Sequence, residues 1–431
     1  MQHDAERRRV AALQRSFPAF WIAAAALLPE AGSLSRGSDS LECAGLTALY
    51  YGRVYAPEKL HQIGVVLQSV SLYGPGMREP SEFNLRKTLI LGAIVLGLIV
   101  WACLRRPATD GEHVRFGGET MGTYYIVKLP RCPLRKAKLV EAQSAVEDVL
   151  AQVNRAMSTW DPASEISRLN DQDDQSSVAI SAGFAEVLAC ALELANASGG
   201  AFDPTLGPLI DLWGFGATDQ RIRAPAQEAV DQALAQVGAQ HLQLDELAVT
   251  KTQAPLRLNL SAVAKGYGVD RVASALRDAG VSEYMVDIGG EVVVAGKNPQ
   301  GLPWRLRIEV PEYGAMPGEG AKFAEILVEN CAIAGSGDYR NYFEDDGRIY
   351  SHIIDPRTGY PITNGVSGVT VIAKRCMVAD GLATCLMVMD PAEGLALLKR
   401  YPGAEALILQ RTASGLQAHK SPGFDAYVAA E

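Results

Sequence analysis

Tyr284-Met285-Val286-Asp287-Ile288-Gly289-Gly290-Glu291-Val292-Val293-Val294-Ala295 reads as two β-prone runs joined by a glycine pair. Runs of this length and composition predict strands, and Gly-Gly between them predicts a hairpin turn or a bulge. A hairpin makes its strands antiparallel, which a βαβ unit does not. Just upstream, residues 261–279 carry a helical pattern that stops at Gly280. Further strand-like runs lie at 123–129, 304–310, 323–329, 349–354 and 368–373. Helical runs lie at 134–157, 184–198, 226–237, 380–388 and 391–400. Strand pairs with helices inserted between them predict an α+β fold of mixed, largely antiparallel sheets. There is no G-x-x-x-x-G-K-[ST], and no G-x-G-x-x-G follows a strand, so neither a P-loop nor a Rossmann site is indicated.

The chain has 431 residues, 48% of them hydrophobic, which is ample for a large core. Its net charge of -9 comes with both signs interspersed and no basic stripe in the C-terminal two-thirds. That argues against a nucleic-acid partner and suits a divalent cation better than a polyanion. None of the seven cysteines forms a C-x-x-C pair, so no zinc or thioredoxin-like motif is signalled.

Three segments are expected. Residues 1–84 are an N-terminal extension without clear periodicity, or sequence upstream of a start at Met77. Residues 85–104 are a signal or membrane anchor: Arg86 and Lys87 precede the uncharged run TLILGAIVLGLIVWACL. Val100-Trp101-Ala102-Cys103 is similar to a lipoprotein processing box, with Trp101 where a small residue is usual. Both a lipidated Cys103 and an uncleaved anchor therefore stay open. Residues 112–429 read as one globular domain.

Several stretches carry chemistry. Asp380 and Thr384 are spaced i, i+4 at an expected helix start, where both point to one face. A carboxylate and a hydroxyl there are hard-oxygen ligands suited to Mg²⁺, or the aspartate simply stabilises a helix end. Ser261 is placed to N-cap the helix after a strand at 256–260, with Lys265 one turn in, beside a terminus that attracts phosphate. Gly199-Gly200-Ala201-Phe202-Asp203-Pro204-Thr205 is a tight turn. Phe202 there offers a ring to stack on, and Asp203 an acceptor for a ring N–H; the plain alternative is a helix C-cap. Trp160-Asp161-Pro162 is open to the same two readings. In Ser351-His352-Ile353-Ile354-Asp355-Pro356-Arg357-Thr358-Gly359, His352 lies on an apolar strand that ends in a turn, where sites are often built.

In order and spacing these pieces resemble the FAD:protein FMN transferase (ApbE) family. So do Thr120-Met121-Gly122-Thr123, Met157-Ser158-Thr159-Trp160, Ser164-Glu165-Ile166-Ser167, Ala264-Lys265-Gly266-Tyr267, Ile288-Gly289-Gly290 and Ser336-Gly337-Asp338-Tyr339. The resemblance spans about 117–398. It implies a T-fold-like domain that uses FAD as substrate and Mg²⁺ as cofactor. The FMN phosphoryl group passes to a Thr or Ser hydroxyl of a target protein, and AMP is released. It implies Asp380, Thr384 and the Ala262 carbonyl as metal ligands. It places Met121, Trp160, Ala201, Phe202, Asp203, Asn259, Lys265 and His352 at FAD, with Asn259 where many members have Asp and Glu291 where Asp is frequent. Lys265 takes developing charge and Asp380 carries the metal. His352 is the first candidate for the base, because its unperturbed pKa lies near working pH, and Asp338 is a weaker one. Expected partners are exported redox-complex subunits bearing Ser/Thr-Gly-Ala-Ser/Thr, a motif this chain lacks. The expected place is the periplasmic side of a bacterial inner membrane. FAD pyrophosphatase activity and a non-catalytic FAD-binding lipoprotein are the alternatives.

Overall fold

The glycine-pair hairpin forms as expected, between β6 (Tyr284–Ile288) and β7 (Glu291–Ala295), with Ile288 facing Glu291 across the turn. Gly289 and Gly290 both adopt positive φ, 60° and 106°, which a tight hairpin turn needs. The computed structural model describes residues 112–430 apart from 173, 218–222 and 316–317. The expected segments 1–84 and 85–104 lie outside the described residues. Among those described, no helix is long and apolar enough to cross a membrane.

The chain opens with the hairpin β1 (Glu112–Thr120) and β2 (Thr123–Cys132), then α1 (Lys136–Met157) and α2 (Glu165–Asn170). There follow β3 (Val178–Ala179), α3 (Ala182–Ala197), α4 (Gly207–Leu212), α5 (Gln227–Leu234), β4 (Leu242–Asp245), β5 (Ala248–Lys251) and α6 (Ser261–Asp278). Beyond β6 and β7 come β8 (Trp304–Glu309), β9 (Lys322–Val328), β10 (Cys331–Gly337), β11 (Tyr342–Asp345), β12 (Arg348–Ser351) and β13 (Val366–Ala373). Helices α7 (Cys376–Val388) and α8 (Pro391–Leu398) and strands β14 (Glu405–Thr412) and β15 (Gly415–Lys420) complete the fold.

Eight strands form one sheet in the order β1-β2-β6-β7-β10-β13-β14-β15. All its ladders are antiparallel, so the α+β expectation holds. Alternate residues face opposite layers, as the pleat requires. In β6, Tyr284, Val286 and Ile288 pack toward the helices, while Met285 packs on the other side. In β14, Ala406 and Ile408 face the helices, and Leu407 and Leu409 face away. The hairpin β8–β9 covers that second face through Trp304, Ile308, Ile326 and Val328. Each fully buried aliphatic side chain contributes about 1.5–3 kcal/mol, so the two-sided core fixes strand register firmly.

Three expectations change. Residues 256–260 form no strand, only a single bridge between Arg257 and Leu206. Helix α7 starts at Cys376, so Asp380 lies in its second turn and is not an N-cap. Strand β12 ends at Ser351, so His352 follows the strand instead of lying on it.

Candidate functional site

Helices α6 and α7 build the centre of the site by packing closely against each other. A Cβ on Gly266 would overlap the Cys376 carbonyl and lie 2.8 Å from the Asp380 Cβ. Asp270, one turn further along α6, caps α7: its carboxylate accepts from the N–H groups of Cys376 at 2.9 Å and Met377 at 3.1 Å. This clamp fixes where the second turn of α7 lies, and with it Asp380.

Asp380 is buried, and its Oδ2 accepts from the Gly266 N–H at 2.9 Å. Among the described residues nothing donates to Oδ1. Burial, and then the nearby Glu291 carboxylate, push the Asp380 pKa well above the usual carboxylate range; Lys265 and the Gly266 N–H oppose them. Thr384 lies one turn on, and its hydroxyl donates to the Asp380 carbonyl over 3.5 Å. Its oxygen therefore keeps lone pairs to offer.

Lys265 projects from α6 to Glu291, the first residue of β7, with Nζ 2.7 Å from Oε2. Glu291 is 1% exposed, and this contact lacks hydrogen-bond alignment, so Oε2 is a buried acceptor without an aligned donor. Burial raises the Glu291 pKa against the pull of Lys265. Burial works against the Lys265 ammonium, but the charges of Glu291 and Asp380 outweigh it and hold its pKa above that of an ordinary lysine. Two buried carboxylates thus share one ammonium.

The start of α6 is set by two asparagines, of which only Asn259 was singled out in the sequence, and then as a FAD contact. Asn170 brackets Leu258, accepting from its N–H at 2.7 Å and donating to its carbonyl at 2.9 Å. Asn259, not Ser261, closes the helix start: its Oδ1 accepts from the Ser261 N–H at 3.0 Å and hydroxyl at 2.6 Å. Ser261 is the first helical residue, so its N-cap expectation is corrected. The Asn259 N–H donates to the Pro204 carbonyl at 2.7 Å, tying α6 to the Gly199–Thr205 turn. Ala262, in the first turn, is half-buried beside this start.

Other expected contacts are placed variously. Met121 and Gly122 form the β1–β2 turn with φ of 50° and 71°. The Met121 methyl lies over Gly268, 2.7 Å from where a Cβ would stand. Ala201 and Phe202 are 1% and 4% exposed, so the Phe202 ring belongs to the core and presents no face for stacking. Trp160, 67% exposed, is the open aromatic. Asp203 is already engaged: it accepts from the Thr205 N–H and hydroxyl at 2.8 and 2.6 Å and from the Ala239 N–H at 2.9 Å.

His352 receives a different character from the one expected. Its Nδ1 lies 3.0 Å from the Asn341 carbonyl, which can only accept, so Nδ1 carries the proton and Nε2 a lone pair. The ring keeps part of its surface open yet lies behind enough protein to be desolvated. Burial first, and the charge of Lys265 with it, lower its pKa from 6.5 to about 4 against the Asn341 bond. Asp338 is half engaged: its Oδ1 is buried with no hydrogen-bond partner among the described residues. Its Oδ2 is held by Arg411 Nη1 and the Tyr313 hydroxyl, each at 2.6 Å.

The residues at α6 and α7 fit a hard divalent cation. Asp380 has an oxygen to give, Thr384 has free lone pairs, and the pair of buried carboxylates exceeds the single ammonium that serves them. Among the described residues no three His, Cys, Asp or Glu side chains gather in metal-holding range. A cation here would draw on one carboxylate and neutral oxygens, as Mg²⁺ often does.

Comparison with known proteins gives consistent matches. A family model described as the ApbE family matches residues 121–408. A FAD:protein FMN transferase of Vibrio cholerae is 40% identical over 333 residues, covering 77% of this chain and 96% of the relative. One of Haemophilus influenzae is 38% identical over 345 residues, covering 78% and 97%. Among solved structures, the flavin transferase ApbE from Vibrio cholerae has a TM-score of 0.67 at 38% identity, covering 73% of this chain and 99% of that one. The apo form of the Pseudomonas stutzeri flavinyl transferase ApbE also has a TM-score of 0.67 at 38% identity, covering 75% and 99%.

Proposed function

This chain belongs to the ApbE family, and from that premise we propose that it is a Mg²⁺-dependent FAD:protein FMN transferase. It moves the FMN phosphoryl group of FAD to a Thr or Ser hydroxyl of an acceptor protein and releases AMP. The observation that carries this reading is Asp380, buried on the second turn of α7 with Lys265 and Glu291 beside it.

In the transfer, the acceptor oxygen bonds to the FMN phosphorus as the bond from that phosphorus to the bridging oxygen breaks. AMP leaves with the bridging oxygen. Such reactions depend on positioning and charge neutralisation more than on covalent help from the protein. The Lys265 ammonium neutralises charge that develops on the diphosphate. Asp380 and Thr384, with the Ala262 carbonyl, would hold Mg²⁺, which would supply Lewis-acid polarisation of the phosphoryl group. His352 accepts the hydroxyl proton at Nε2 while Nδ1 stays bonded to Asn341. Trp160 offers its open face to a planar ring, and Met121 and the backbone of the Ala201–Asp203 turn line the approach. The acceptors are exported redox-complex subunits carrying Ser/Thr-Gly-Ala-Ser/Thr. The uncharged run behind Arg86 and Lys87 supports tethering at the periplasmic face of a bacterial inner membrane.

The test is the intact mass of a peptide bearing that motif after incubation with the protein, FAD and Mg²⁺. The expected product carries one FMN, with AMP released in equal amount, and D380A abolishes both. AMP release independent of peptide, with no labelled peptide, would make the enzyme a FAD pyrophosphatase. Labelling by D380A at the parent rate would overturn the metal assignment.

A further inference from the structure

We infer that Glu291 is a positioning residue that holds the Lys265 ammonium away from Asp380, leaving that carboxylate free for a divalent cation. The inference rests on the proposed reading of the site and assigns a role to a buried charge that this reading leaves unused.

Lys265 has two buried carboxylates within electrostatic reach, Glu291 and Asp380. Its ion pair is with Glu291, at 2.7 Å, and none with Asp380 occurs among the described residues. A lysine side chain is flexible enough to choose between them. Glu291 is the less movable partner. It begins β7 directly after the Gly289-Gly290 turn, in register with Ile288, and is 1% exposed. Asp380 is held differently, by the Gly266 N–H on Oδ2, and keeps Oδ1 clear. The Lys265 side chain is 32% exposed and feels both carboxylates, so its ammonium will pair with whichever buried carboxylate remains. Without the charge at position 291 that carboxylate is Asp380. The lysine then occupies the oxygen a cation requires.

The experiment measures Mn²⁺ binding by electron paramagnetic resonance in the absence of FAD, together with peptide flavinylation. The proteins are the parent, E291Q, E291D, K265M, D380A and the E291Q/K265M double variant. E291Q is expected to weaken Mn²⁺ binding by about tenfold, as loss of a carboxylate supporting a metal ligand does. Removing the lysine as well is expected to restore binding to near the parental value, because nothing then competes for Asp380. E291D, which keeps the charge within reach of a flexible lysine, binds like the parent. Where E291Q does not fold, E291S takes its place with the same expectations. Parental Mn²⁺ binding by E291Q, or binding that stays weak in the double variant, overturns the inference while flavinylation by the parent still stands. Equal Mn²⁺ binding by the parent and D380A instead overturns the metal reading, and this inference with it.

Discussion

Burial and the neighbouring Lys265 charge make His352 a weaker base, with a pKa of about 4 in place of 6.5. A base of that strength is fully available at neutral pH. The flavinylation rate should therefore hold from neutrality to about pH 5 and fall toward pH 4, with no break near 6.5. The same shift bears on stability. Between 6.5 and about 4 the unfolded chain binds a proton that the folded chain refuses. Stability from this residue is complete above 6.5 and is lost as the pH falls through that window. Urea titrations at several pH values should show H352N with a flatter profile than the parent. H352N should also lower kcat by about 10²–10⁴. A break in the rate near pH 6.5 would contradict the desolvated imidazole. The two aromatic residues expected at FAD separate in the same way. Trp160 is exposed and Phe202 is core. W160A should raise the FAD dissociation constant by about tenfold or more, the scale of a lost base–aromatic stack, with an unchanged melting temperature. F202A should destabilise the fold by about 3–5 kcal/mol. The sequence identified both rings but could not tell them apart, because exposure follows from where a turn docks and not from the turn's own residues.

Among the elements, the α6–α7 contact depends on Gly266, which has no Cβ to collide with Cys376 and Asp380. G266A should force the helices apart and destabilise the protein by about 1–3 kcal/mol, the usual range for overpacking. It should also weaken Mn²⁺ binding, because the N–H that orients Asp380 belongs to the same residue. Calorimetry and metal titration on one preparation would check both; a stable G266A with parental metal affinity would show that the close approach is dispensable. The strands that sequence reading found are those with β-branched runs and sharp turns, above all β6–β7. Some that it passed over lack that signature. Strand β10 is Cys-Ala-Ile-Ala-Gly-Ser-Gly, yet it lies between β7 and β13 near the centre of the sheet. Its Ala332 and Ala334 are fully buried toward the helices, where small side chains let α7 settle onto the sheet. Spacing placed Asp380 and Thr384 on one helix face, and only the family resemblance read them as metal ligands. Asp270 and Asn170 were not legible, because each acts on an element distant in sequence.

For the whole molecule, the catalytic unit is proposed to be complete without the first hundred or so residues. Among the described residues the large sheet runs from β1 to β15. Among the described residues, the core on its helical face and the core under β8–β9 are built from residues within 114–428. Every residue assigned to FAD or to the cation lies between Met121 and Thr384. A chain of residues 112–431 should therefore unfold in one cooperative transition, as a unit with its own core does. With FAD and Mg²⁺ it should label a soluble acceptor peptide at the rate of the full-length protein. The full-length chain, carrying the uncharged run at 88–104, should sediment with bacterial membranes where the shorter one remains in the supernatant. If the shorter chain aggregates or labels peptide far more slowly while the longer one is active, the upstream segment is part of the catalytic unit and not a tether. If both label equally but neither sediments, the domain boundary stands and the membrane assignment fails.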